Sequence, residues 1–88
     1  MKYVLFFESA GAPAELIQQH FPAHRARWLE FHQAGSLLLI GPFTDGGAMS
    51  VFSSRAAAEE FAAADPFVLH GVIGNWHIRE WREALLNP

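Results

Sequence analysis

Tyr3-Val4-Leu5-Phe6-Phe7 is an unbroken apolar run set between Lys2 and Glu8. It is short and rich in aromatic and β-branched residues, and Ser9-Ala10-Gly11-Ala12-Pro13 closes it with loop-forming composition, so it predicts a strand. In a strand Tyr3, Leu5 and Phe7 point to one side of the sheet and Val4 and Phe6 to the other. A strand apolar on both sides has to be covered on both sides. The chain has only 88 residues for that task, enough for one domain over 1–88 that buries about 60% of its unfolded surface. It has no cysteine, so disulfides, thiolate metal sites and cysteine nucleophiles are all excluded. Small chains without such staples often gain stability by oligomerising.

The rest of the chain supplies the partners of that strand. A helix is predicted from about Ala14 to Ala34, with Leu16 and Ile17 in a preliminary turn. Pro22 fits the first turn of the main helix, where a missing N–H costs nothing, and Gly35 suits a left-handed cap after it. Leu37 to Ile40 reads as a strand running into Gly41-Pro42-Phe43, with the proline at its end. Asp45-Gly46-Gly47 signals a hairpin, and Ala48 to Ser53 is the returning strand, with Met49 and Val51 opposite Ser50 and Phe52. Ser53 or Ser54 caps an alanine-rich helix ending at Ala64, because Pro66 turns Asp65 away from helical angles. Val72 to Trp81 is the last strand, and Arg82 to Pro88 a tail. The order β-α-β-β-α-β predicts an α+β, ferredoxin-like fold: a four-stranded antiparallel sheet with two helices on one face. The face without helices keeps the apolar side chains of the first strand, and a symmetric homodimer, sheet against sheet, would cover it.

Charge narrows the function classes. Six Lys and Arg stand against nine Asp and Glu, which argues against nucleic acid as a partner, since phosphate neutralisation needs a basic patch. The first apolar run is too short for a secretory h-region or a membrane span, so no membrane association and a cytoplasmic location are expected.

Among residues that carry chemistry, His20 and His24 stand four apart and share a helix face. Phe21 occupies the place where a zinc hydrolase has Glu, and no third ligand stands out, so no metal and no cofactor are expected. His24 gains interest with Asp65, which lies at the end of the second helix, where two neighbouring helices bring such ends together. A carboxylate beside an imidazole fixes its tautomer and frees the other ring nitrogen for acid/base work. The competing explanation is that Asp65 only forms a turn with Pro66 while His24 is solvated. Trp28, Trp76 and Trp81 read as core or interface anchors.

Taken together these residues resemble the YCII-related (YciI-like) domain family. The resemblance rests on Lys2-Tyr3, on His24 followed by Trp28-Leu29, and on Ala34-Gly35-Ser36-Leu37-Leu38-Leu39-Ile40-Gly41-Pro42-Phe43. It continues through Gly46-Gly47, Asp65-Pro66-Phe67, Gly71 and Trp81. It implies a dimeric α+β barrel and a pocket with a His–Asp pair, which falls on His24 and Asp65. It also implies a cofactor-independent lyase or isomerase-like reaction, in which His24 moves a proton on a small cyclic or aromatic molecule, Asp65 orients it, and Phe7, Phe43 and Phe67 bind the substrate. A non-catalytic dimeric module that binds a small metabolite in the same cleft is the alternative.

Overall fold

A computed structural model of the chain describes residues 1–86. Asn87 and Pro88 of the expected tail lie outside the described residues. The elements are β1 (Lys2–Ser9), α1 (Ala14–Gln33), β2 (Leu37–Pro42), β3 (Ala48–Phe52), α2 (Arg55–Ala64), α3 (Pro66–Leu69) and β4 (Ile73–Trp81). All strand pairs are antiparallel, in the order β2-β3-β1-β4. This is the α+β, ferredoxin-like arrangement, with β1 and β3 central and the helices on one face.

The alternation along β1 sets the two faces. Leu5 pairs with Ser50 and Ile78, and Phe7 with Ala48 and Trp76, so these side chains face the helices. Leu5, Phe7, Leu37, Phe52 and Ile73 join Ala58, Phe61, Ala62 and Val72 in the core. The alanines let α2 approach the sheet closely, and Phe61 is its fully buried anchor, meeting Phe31 edge-on at 5.2 Å and Phe52 at 5.5 Å. Arg27 ties α1 to α2: its guanidinium lies over Phe31 and Phe61, and Nη2 donates to the Glu60 carbonyl at 2.8 Å.

Val4 pairs with Val51 and Arg79, Phe6 with Met49 and His77, and Lys2 with Trp81, all directed to the other face. Here Val4 and Val51 are buried and Phe6 stacks on His77 at 5.0 Å, while Leu39 is 68% and Trp81 47% exposed. A shallow groove of about 250 Å³ runs between Val4, Phe6, Met49, Arg79 and Trp81. No described helix covers this face.

One local expectation is corrected. Pro22 is not in the first turn but inside α1, which runs unbroken from Ala14 with Pro13 at its N-cap. The missing N–H of Pro22 leaves the Gln18 carbonyl without its helical donor, and burial of the helix face on the sheet outweighs that loss. Asp65-Pro66 stops α2 after Ala64, as expected, and proline at a first helical position also starts α3. His32, exposed near the end of α1, has its Nδ1 2.9 Å from the Leu37 carbonyl. At the end of α1, Gly35 has φ +82°, its N–H reaches the His32 carbonyl and the Ser36 N–H reaches that of Phe31. That is a Schellman cap, as Gly35 predicted. Ser54, rather than Ser53, caps α2 through the Ala57 N–H at 3.2 Å.

Candidate functional site

The site begins at the junction of α2 and α3. Pro66 holds Asp65 extended, at φ −67° and ψ 135°, so that it ends one helix and caps the next. Its Oδ2 accepts the Phe67 N–H at 3.1 Å. The carboxylate is completely buried, and a buried carboxylate requires partners. His24, the buried residue of α1, provides the second: its Nδ1 lies 2.8 Å from Oδ2 and 3.0 Å from Oδ1. Asp65 is thus a turn residue and the partner of His24 at once, so the two explanations of the Asp-Pro step are compatible.

Packing fixes the imidazole in the remaining directions. Phe67 lies parallel to it, 4.0 Å between centroids with 13° between planes. Phe61 meets it edge-on at 6.2 Å, and Phe21 tilts toward it at 6.2 Å. With Nδ1–H given to the carboxylate, Nε2 is the nitrogen left to accept or return a proton. The arrangement suits general acid/base chemistry, in which the base must be oriented before it is reactive.

His24 lines a cavity of about 410 Å³, within the range of small-molecule pockets. Phe7 and Ile73 form its floor on the sheet. Ile17, Phe21, His24 and Trp28 form one wall from α1, and Phe67 closes the α3 side. The β2–β3 hairpin supplies the rim with Pro42, Phe43, Gly46 and Gly47. Gly47 has φ +74°, and a Cβ there would stand 2.5 Å from the Phe7 carbonyl oxygen, so glycine lets the hairpin lie against β1. The three phenylalanines expected around a ligand all face this one space, with Phe7 buried and Phe43 exposed at the mouth.

Trp28 and Ser50 are among the lining residues that the sequence did not single out for the site. Trp28 lines the cavity as well as packing on the core. Its signal is the spacing Ile17, Phe21, His24, Trp28, which marks a single helical stripe. Ser50 also lines the cavity and is 3% exposed; its signal is the face it shares with Phe52. His20 lies apart and stacks on His70, 4.0 Å between centroids. Among the described residues no three His, Cys, Asp or Glu side chains stand together as a metal site. No described helix is long and apolar enough to cross a membrane.

Residues 1–82 match the model of the YCII-related domain family. The chain belongs to that family. Its curated relatives include Protein YciI of Escherichia coli O6:H1 and of Shigella flexneri, each 29% identical over a 97-residue alignment that spans 96% of this chain and 99% of the relative. Among solved structures, the fold is similar to 5-chloro-2-hydroxyhydroquinone dehydrochlorinase of Burkholderia phenoliruptrix, in complex with 2,5-dihydroxybenzoquinone. The TM-score is 0.65 at 18% identity, over 96% of each chain.

Proposed function

We propose that this chain is a small cofactor-independent enzyme of the lyase or isomerase type, acting on a hydroxylated cyclic or aromatic metabolite. The observation that carries the reading is the Nδ1 contact between His24 and the buried Asp65 carboxylate, with the same imidazole lining an apolar cavity. His24 would transfer the proton through Nε2, Asp65 would hold the tautomer, and Phe7, Phe43 and Phe67 would bind the ring. The fold neighbour that acts on a chlorinated hydroquinone makes such rings the first compounds to try. For them the balance closes internally. The carbon that bore chlorine takes a proton, two hydroxyl protons leave, chloride departs, and the ring becomes a quinone without an external oxidant.

The sheet face without helices supports a homodimer, since it carries the exposed side chains of Leu39 and Trp81 beside half-buried Phe6 and Met49. The enzyme would then work as a dimer in the cytoplasm, on a small-molecule ligand. Light scattering at micromolar concentration should give twice 9.8 kDa; the monomer mass would end the dimer proposal.

A second reading, a non-catalytic module that stores or delivers the same ligand, is favoured by one observation: His24 is the cavity's one titratable lining side chain among the described residues. Turnover against binding separates the two. A panel of chlorinated hydroxyquinols and cyclic enol lactones is offered to the wild type and to His24→Asn. Conversion by the wild type alone supports the enzyme, whereas binding of the panel without any conversion supports the module.

A further inference from the structure

We propose that Ser50 is a substrate-binding residue, whose hydroxyl anchors an oxygen substituent of the ring presented to His24. This inference rests on the reading of the cavity as a small-molecule site. It starts from an anomaly in the pattern of β3. Opposite Ser50 stand Leu5 and Ile40, so its side chain points to the helix-covered face, where the neighbouring positions of the sheet are apolar. It is 3% exposed, and the space it borders is the cavity.

Among the described residues the Ser50 hydroxyl has no hydrogen-bond partner. Of the other hydroxyl and imidazole groups of the lining, each already has one protein partner. Ser9 Oγ accepts the Gly11 N–H at 3.1 Å, and His24 spends Nδ1 on Asp65. Ser50 Oγ is not among the side-chain atoms closed off from solvent without a partner, so within a nearly buried residue it is the hydroxyl that opens into the cavity. With no protein partner to give up, it is available to a polar group of a ligand, whereas an apolar ligand would strip its water and replace it with nothing.

A hydroxyl both donates and accepts, and rotates to suit, so it pairs equally with a phenolic O–H and with a carbonyl oxygen. That property fits a ring that passes between hydroxyl and keto forms while a proton moves at carbon. The ligand class is therefore a single flat ring carrying at least one oxygen directed to β3. Pure hydrocarbons of the same shape should be discriminated against, because they leave Ser50 unpaired.

The probes are hydroquinone and p-xylene, which exchange hydroxyl for methyl at nearly constant shape. Their binding is followed by NMR titration of the full chain, as wild type, Ser50→Ala and Ser50→Cys. The wild type should prefer hydroquinone. Ser50→Ala should lose about tenfold in hydroquinone affinity and keep or improve that for p-xylene. Ser50→Cys, nearly isosteric with a weak S–H donor, should fall with Ser50→Ala and serves if the alanine variant does not fold. Equal changes for both probes, an unchanged preference, or a wild type that does not prefer hydroquinone would each overturn the assignment. Turnover of the same variants keeps the two claims apart. Loss of selectivity in Ser50→Ala with turnover independent of His24 sinks the catalytic reading alone, and the converse sinks only the role of Ser50.

Discussion

Phe67 bears on His24 in two ways. Its ring lies flat against the imidazole at 4.0 Å, and its amide N–H goes to Oδ2 of Asp65, the oxygen that makes the shorter contact with His24 Nδ1. The backbone of α3 and the orientation of the proposed base are therefore held by one carboxylate. Moving α3 would disturb the imidazole from its face and from its edge together. The short helix that follows the Asp-Pro step is thus part of the site.

Phe67→Leu should keep the α3 cap, because the amide remains, yet remove the flat surface under His24. Ligand affinity should fall several-fold, with a stability loss of about 1 kcal/mol, the usual scale for an aromatic pair. Parallel ligand titration and urea unfolding check this. A variant that binds as tightly as the wild type would remove Phe67 from the site.

Asp65→Asn and Asp65→Ala should differ in a defined order. Asn retains an oxygen for the Phe67 N–H but faces His24 Nδ1 with a neutral amide, so turnover should drop while α3 stays capped. Ala loses both contacts and should be less stable than Asn by about 1 kcal/mol, the value of a helix N-cap. Denaturant midpoints of the two variants give the comparison, and equal midpoints would deny Asp65 its capping role.

Phe61→Ala removes the ring on which Phe31, Phe52 and the edge of His24 converge. The expected cost is about 3–5 kcal/mol, as for other buried phenylalanines. Thermal unfolding measures it. A cost below about 1 kcal/mol would mean that α2 is anchored elsewhere.

Glu83 ties the end of the chain to its beginning, at 3.1 Å from the terminal ammonium of Met1 and 3.2 Å from Lys2 Nζ. The hydrogen bond from the terminal ammonium, and next to it that from Lys2, holds its carboxyl below the usual glutamate range. A carboxylate lowered in the folded state contributes above its unfolded value, and that contribution disappears as pH falls through the lowered folded value. NMR titration should therefore find Glu83 ionising below the usual glutamate range, and Glu83→Gln should abolish the acid-side fraying of this clasp. Glu83 titrating within the usual glutamate range would contradict it.

Most of the architecture was legible in local sequence, because each element carries its own punctuation. Gly35 closes α1, Asp45-Gly46-Gly47 turns the hairpin, and the short apolar run of β1, closed by Ser9 to Pro13, marks it as a strand. Tertiary packing decided what was not legible. Pro22 looked like a beginning because proline is costly inside a helix, and only burial against the sheet carries α1 through it. A bulge between Leu37 and Leu39 shifts the register of β2, so that Leu37 is buried and Leu39 faces the open side. For the site, the sequence placed His24 and Asp65 on elements whose ends could meet, but their separation depends on how α1 lies across α3. Trp28 was hidden by the core role it also has, and Ser50 by the ordinary look of one serine in a strand.

The most direct measurement is conversion of the panel of hydroxylated aromatic rings and cyclic enol lactones by the wild type and by His24→Asn, with binding of the same compounds followed on the same samples. The asparagine amide offers Asp65 an N–H in place of Nδ1 and leaves no proton-transfer group in place of Nε2. The account predicts conversion of at least one compound by the wild type, a fall of about 10²–10⁴-fold in the variant, the usual worth of a positioned acid/base, and binding within a few-fold of wild type. Equal conversion by both proteins, or binding by both with no conversion by either, would contradict it.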